Sequence, residues 1–459
     1  MTLIAIIGGG PAGYVAAITA AQQGHEVTII DQGPLGGTCL NEGCMPTKAL
    51  LESAGVYNTL QHASEFGIRL PSGSIGIDWN SVQGRKNKIV STLVQGIQYL
   101  MRKNKVKVIK GSASFLTSRV LRIEHNGNQE EITADKIIIS AGSEPIQLPF
   151  APFDGDWIIH SGQAMSLQSI PSSLLIIGGG VIGCEFASIY SRLGTKVTIV
   201  EMADQLLPGE DKDVATILHK ELENDGVTIF SSTRLKDLNK DQKKAFIEND
   251  KGLHEVEPDL VLVSIGRKPR VNSLGLENIG IDFSRQGIGV NEQMQTNIPN
   301  IYACGDVIGG IQLAHVAFHE GTVAALNACG VDTHVNYRAV PRCIYTSPEI
   351  ASVGITEKQA IDQYGDIRVG EFPFSANGKA LISNEQSGKV KVLVEPEYGE
   401  IVGVSIVGPH ATELIGQGTV MLHAELTTDS LEQFIAAHPS LSEAIHEALL
   451  SAVGHAVHV

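Results

Sequence analysis

Two cysteines, Cys39 and Cys44, sit on either side of four residues in the stretch GGTCLNEGCMPTK (residues 36–48). They are half of a metal site, two unrelated buried thiols, or a dithiol that opens and closes during a reaction. Zinc takes four ligands, usually as two close-spaced pairs, whereas Cys184, Cys304, Cys329 and Cys343 are scattered singly, so no metal site is expected. On an ideal helix, Cα atoms five positions apart lie roughly 8.6 Å from each other, beyond the about 4.4–6.8 Å that a disulfide spans. Contact between these sulfurs therefore needs distorted backbone. Gly36, Gly37 and Gly43 permit it, and Pro46 suits the first turn of a helix that would run on through TKALLESAGVYNTL. On these grounds inert thiols and a redox pair both stay open.

The segments that must position such a pair are easier to read. Residues 3–31, LIAIIGGGPAGYVAAITAAQQGHEVTIID, give an apolar strand, the glycines Gly8, Gly10 and Gly13, an alanine-rich helix, a second strand and a terminal acid, Asp31. In a dinucleotide-binding turn the first glycine permits the tight bend and the second lets pyrophosphate approach the backbone. The third allows close helix–strand packing, and the acid accepts from ribose hydroxyls. Residues 174–201 repeat the pattern with Gly178, Gly180, Gly183 and Glu201, and the spacing from first glycine to acid is 23 residues in both copies. Each copy is followed by an apolar strand ending in a glycine turn, at Gly142 in IIISAGSEP and at Gly266 in VLVSIGRKP. A duplicated unit of this kind predicts two bound dinucleotides, one held tightly and one exchanged. Glu201 accepts from a 2′-hydroxyl and repels a 2′-phosphate. The adjoining MADQLLPGED offers no Arg or Lys, so the second site favours NAD over NADP.

Length and charge bound the rest. The chain has 459 residues, enough for about three domains, and 49 glycines suit compact α/β units. With 34 Lys and Arg against 50 Asp and Glu the formal charge is −16, which disfavours nucleic acid and acidic membranes as partners. MTLIAIIGGG lacks a basic region and an apolar stretch long enough for a targeting signal or a span, so a cytoplasmic location is expected. In that reducing compartment a disulfide would be redox-active rather than structural.

The twin units, the Cys-x4-Cys and AAHPSLSE at 436–443 together resemble the pyridine nucleotide-disulfide oxidoreductases over essentially the whole chain. TNIPNIYACGD (296–306), LAH (313–315) and PRCIYTSPEIASVG (341–354) carry the likeness further. The fold this implies is α/β: an FAD-binding domain of residues 1–145 continued by 270–340, an NAD-binding domain of 146–269, and an α+β dimerisation domain of 341–459. Implied FAD contacts are Gly8, Gly10, Gly13, Asp31, Thr38, Lys48, Gly111, Gly142, Asp306 and Ala314; Gly178, Gly180, Gly183, Glu185, Glu201 and Gly266 fall to NAD.

The resemblance also implies roles. Cys39 and Cys44 form the redox disulfide, Cys39 meeting the substrate sulfur and Cys44 passing electrons to the flavin. Lys48 lies near the flavin with Glu185 as its partner. His438 is the base that makes a substrate thiol nucleophilic, and Glu443 orients its imidazole. The implied substrate is a dihydrolipoyl group on a separate acyltransferase of a 2-oxoacid or acetoin dehydrogenase complex, served by a homodimer. Ala141, Glu42 and Met45 depart from the common pattern, and Glu42 is expected either to raise the thiol pKa values or to contact a partner. A glutathione-reductase-like enzyme would want cations after Glu201, and a mercuric reductase a cysteine pair in LLSAVGHAVHV; neither is present. A mainly structural subunit of a large complex is the remaining alternative.

Overall fold

The computed structural model describes residues 2–70 and 75–458. Strand β1 (Leu3–Ile7) runs into helix α1 (Pro11–Gln22), and β2 (Glu26–Asp31) returns parallel to β1, with Leu3 opposite Glu26 and Ile7 opposite Ile30. The buried face of α1 is Ala12, Gly13, Ala16, Ala17 and Ala20, side chains small enough for the helix to lie close to its neighbours. The first sheet is all parallel, in the order Ile301–Ala303, Lys136–Ile139, β1, β2, Lys107–Lys110. Strands covered on both faces read as unbroken apolar runs, which is why LIAII and KIII show no alternation.

The second sheet repeats the plan in the order Thr228–Phe230, Lys196–Val200, Ser173–Ile177, Leu260–Val263, Ile158–Ile159, again all parallel. An antiparallel ribbon joins the two units, pairing Ser143–Pro145 with Arg267–Pro269 just after the two glycine turns. The C-terminal part is a five-stranded antiparallel sheet with the helices Ala411–His423 and Glu443–Ala452 packed on it. This is the α/β fold with two Rossmann-like units and an α+β C-terminal part that the sequence predicts. No described helix is long and apolar enough to cross a membrane.

The cysteine segment is two helices rather than a turn and one helix. Helix α2 (Gly37–Glu42) carries Cys39, and α3 (Cys44–Gln61) begins on Cys44 itself. The break is Gly43, whose φ of −149° and ψ of −114° lie outside both the helical and the extended regions. Gly36 and Gly37 adopt the left-handed region at φ 99° and 56°, but Gly43 is needed for space, since a Cβ there would lie 2.9 Å from the Thr38 carbonyl oxygen. The helix thus starts two residues before Pro46, which occupies its third position, where no intrahelical N–H donation is yet required.

Charge ties the C-terminal sheet to the second unit. The Lys391 ammonium, with 1% of its side chain exposed, lies 2.7 Å from Asp211, 2.9 Å from Asp213 and 3.0 Å from Glu357. Lys389 adds contacts at 2.7 Å to Asp213 and 2.6 Å to Glu371. A buried ammonium persists only when paired in this way, and removing it strands the carboxylates. Lys391→Met should therefore cost about 3–5 kcal/mol and lower the thermal unfolding midpoint of the purified protein by several degrees. A midpoint equal to wild type in calorimetry would show that the cluster contributes no net stability.

Candidate active site

Chain geometry dictates the two glycine loops. β1 ends at Ile7 and α1 begins at Pro11, so Gly8–Gly10 must reverse the chain; Gly8 does so at φ 100°, where a Cβ would meet the Ser140 carbonyl oxygen at 2.2 Å. A Cβ on Gly13 would fall 1.9 Å from the Gly8 carbonyl oxygen, whereas Gly10 faces open space up to Gly37 at 3.8 Å. The second unit matches it: Gly178 has φ 104°, and a Cβ on Gly183 would lie 2.0 Å from the Gly178 oxygen. Gly13 and Gly183 therefore act through packing alone, outside the cleft lining. Two serines complete the copies. Ser140 Oγ donates to the Ile7 and Gly8 carbonyls at 2.9 and 3.0 Å, and Ser264 Oγ to those of Ile177 and Gly178 at 3.2 and 3.1 Å.

The acids turn onto their own loops. Asp31 accepts from the backbone N–H of Gly9 and, at 2.7 Å, from that of Gly33; Glu201 accepts from Gly179 at 2.6 Å and Ala203 at 2.7 Å. Neither α1 nor the helix Val181–Arg192 has a side-chain cap, so their first N–H groups point outward unclaimed. A cleft of about 1980 Å³ runs past both loops, lined by Gly10, Gly180, Asp31 and Glu201 among others. Uncapped helix starts, backbone bare of Cβ atoms and an acid beyond each loop form a donor set that fits two dinucleotides, one at each loop. The fold also brings Arg234 to the wall beside Glu201, through Thr233, whose N–H donates to the Glu201 carbonyl. Only its neighbours in space, not in sequence, reveal that cation.

Cys39 and Cys44 line the same cleft as thiols in direct contact. The hydrogen bond from Cys39 lowers the Cys44 pKa, burial opposes that, and the Lys48 ammonium lowers it further. Cys39 is raised, first by that same bond and then by burial. These contacts favour charge on Cys44 over Cys39. Lys48 lies one turn further along α3, its Nζ 2.7 and 2.8 Å from the two oxygens of Glu185, which is 5% exposed on the helix Val181–Arg192. The charge of Glu42 bears on His160 and Arg267, and Glu185 is a carboxylate that raises Cys44.

The remaining predicted residues divide cleanly. Thr38, Gly111, Gly142, Gly266, Asp306 and Ala314 all line the cleft. Asp306 accepts from Ser143 Oγ, and Ser143 accepts from Arg267 Nε at 2.8 Å, so the ribbon between the units fixes that carboxylate. Glu320, buried and raised in pKa by burial, holds the same turn by accepting from the Gly305 N–H and the Tyr337 hydroxyl, both at 2.7 Å. Ser143, Arg267 and Glu320 lie within or next to motifs already legible, but only the fold shows what they hold. His438 and Glu443 are brought together, Nδ1 to Oε1 at 2.8 Å, on the C-terminal part. The imidazole is 79% exposed and lies outside the cleft that holds the thiols. Among the described residues no metal-binding cluster is present.

Residues 2–321 match the family described as pyridine nucleotide-disulphide oxidoreductase, and residues 340–449 match that family's dimerisation domain. A dihydrolipoyl dehydrogenase of Bacillus subtilis is 59% identical over 458 residues, 100% of both chains. One from Geobacillus stearothermophilus is 40% identical, covering 99% of this chain and 97% of its own. Among solved structures, LpdA of Mycobacterium tuberculosis superposes with a TM-score of 0.90 at 31% identity, covering 98% of this chain and 99% of that one. The HOCl-induced flavoprotein disulfide reductase RclA of Escherichia coli gives 0.86 at 30%, covering 97% and 99%.

The thiol assignment is open to titration. In the reduced protein, ultraviolet thiolate absorbance, with Cys44→Ser as the blank, should show a midpoint below the about 8.5 of an ordinary thiol. Lys48→Met should move it upward, because the ammonium favours the charged sulfur. A wild-type midpoint at or above the ordinary value would remove Cys44 from this role.

Proposed function

Because the chain belongs to the pyridine nucleotide-disulphide oxidoreductases, we propose that it works as a dihydrolipoyl dehydrogenase, oxidising protein-bound dihydrolipoamide with NAD as the final acceptor. The observation that carries this reading is the thiol pair lying in one cleft between two dinucleotide loops, with a buried ion pair beside it. FAD is held by the first loop, Asp31 and the Asp306 turn, and NAD by the second loop and Glu201. The chemistry FAD supplies when bound is transfer of two electrons from a thiol pair to nicotinamide as hydride.

The protein's own part begins with the Cys39–Cys44 disulfide. A substrate thiol loses its proton to His438 Nε2, which passes it to solvent, and as the thiolate attacks Cys39 Sγ, forming a mixed disulfide and releasing Cys44 as a thiolate, which Lys48 stabilises. The second substrate thiol loses its proton to His438 Nε2, with Glu443 holding Nδ1 and favouring the cation that forms. That sulfur attacks the substrate sulfur of the mixed disulfide, closing the lipoyl ring and releasing Cys39. Two electrons then reside on the cysteine pair.

His438 belongs to the dimerisation domain and lies outside its own chain's cleft, so the base reaches the thiols as His438 of the partner subunit, in a homodimer. The lipoyl group comes on the acyltransferase of a 2-oxoacid or acetoin dehydrogenase complex. A cytoplasmic setting, reducing enough to keep reactive thiols cycling, fits this chemistry. A glutathione-reductase-like activity is disfavoured by Glu201 at the second site.

Two experiments test the reading. Cys44→Ser should keep FAD yet lose NAD-dependent dihydrolipoamide oxidation, and so should His438→Ala to a large degree. Refolded together, the two variants should recover about a quarter of wild-type activity. Random pairing makes about half the dimers mixed, and each mixed dimer has one intact site of two. No recovery despite proven subunit exchange would place base and disulfide in one chain. For cofactor choice, kcat/KM should favour NAD strongly over NADP, and Glu201→Ala with Met202→Arg should shift the ratio toward NADP. Equal values in the wild type would contradict the charge argument.

A further inference from the structure

The Lys48–Glu185 pair has a third member that neither spacing nor the mechanism above assigns. Tyr345 comes directly after the strand Arg342–Ile344, the first strand of the C-terminal sheet, and reaches back into the cleft. The Lys48 Nζ lies 4.4 Å from the centre of its ring. Its backbone N–H donates to Glu185 Oε1 at 3.1 Å, the same oxygen that receives Lys48 at 2.7 Å.

Each contact restrains a freedom that the pair alone leaves open. A lysine stem has four rotatable carbons and a compact charge, and Lys48 is 28% exposed, so a single carboxylate fixes its distance but not its direction. The aromatic face gives the ammonium a second point of attraction beside the carboxylate. The N–H in turn fixes the carboxylate's rotation. We propose that Tyr345 is a positioning residue which, by ring and backbone together, holds the Lys48 ammonium where it stabilises the Cys44 thiolate.

The segment that opens the dimerisation domain thereby sets the readiness of the sulfur. The charged and titratable groups around this point are Cys39, Lys48, Glu185 and Arg267 toward Cys44, and Cys343, Glu349, Glu185 and Glu413 toward Tyr345. Of the two cations, Lys48 is the one the Tyr345 ring touches, so displacing it removes a charge that favours the thiolate while Arg267 stays in place. The proposal rests on Cys44 being the thiolate beside Lys48, and its test separates the two ideas.

Thiolate titration of the reduced holoenzyme is carried out on wild type, Lys48→Met, Tyr345→Phe, Tyr345→Leu and the double variant Lys48→Met with Tyr345→Leu. Tyr345→Leu should raise the Cys44 midpoint by about half a unit to one unit, the size a cation–π contact commands. Tyr345→Phe keeps the ring and should titrate as wild type. The double variant should match Lys48→Met alone, because Tyr345 acts through the lysine. If Lys48→Met leaves the midpoint unmoved, the lysine reading falls and this proposal with it. If Lys48→Met shifts the midpoint but Tyr345→Leu does not, only the proposal falls. A shift in Tyr345→Phe equal to that in Tyr345→Leu would assign the effect to the hydroxyl, and a double variant shifted beyond Lys48→Met would assign it to the fold; either overturns the ring as the agent. Retention of FAD by each variant confirms that the site under titration is intact.

Discussion

A carboxylate that is 5% exposed cannot stay charged without a partner, and Glu185 finds its partner 137 residues away in Lys48. The lysine belongs to the helix that begins on a reactive cysteine, the glutamate to the first helix of the second dinucleotide unit. Their union joins the two units beside the cleft, over an apolar core in which Leu50 and Ala54 meet Phe186 and Ala187. It also bears on the charge of the sulfur, since Lys48 lowers Cys44 while Glu185 raises it, both behind the larger effect of Cys39. Without the lysine, the buried glutamate would be an orphan charge pressed against a thiol that must ionise. Fold and chemistry meet at one contact of 2.7 Å.

Around that contact the molecule is a duplication whose copies have diverged. Both units keep the tight first glycine, the third glycine under a carbonyl, the serine clasp and the acid folded back on its loop. They part company beyond the second strand. The first unit continues into α2 and α3 with the thiols between them; the second continues into MADQLLPGED and the helix Lys212–Asn224, whose acids Asp211 and Asp213 anchor Lys391. One copy spends that position on redox chemistry and the other on fastening the C-terminal sheet.

The glycine loops were legible in sequence because their constraint is local: a bend, a close approach and an acid at fixed spacing cannot be made in many ways. The nearness of Cys39 and Cys44 was half legible. Glycines announced distorted backbone, yet the point of fracture at Gly43 depends on the Thr38 carbonyl, which no periodicity reveals. Pro46 lies in the first turn of the helix as expected, but proline is tolerated throughout a first turn and so does not say which residue opens it. Arg234, Arg267, Glu320 and Tyr345 escaped for a different reason. Arg267 and Tyr345 act on groups far along the chain, where spacing carries no information, and Arg234 and Glu320 join the site only through neighbours that the fold brings up.

The acids that end β2 and its counterpart Lys196–Val200 have a consequence for descent. Each carboxylate braces the loop it serves, through Gly9 and Gly33 in one unit and Gly179 and Ala203 in the other. The loops are therefore shaped before any ligand arrives, and an arriving nucleotide spends little free energy ordering them. The same bracing narrows the mutational paths open to a lineage. A change that removes the acid to admit a different nucleotide also unbraces the turn, so altered selectivity has to arise together with a second replacement that restores the lost hydrogen bonds. Selectivity in such a unit is inherited as a block rather than adjusted one residue at a time.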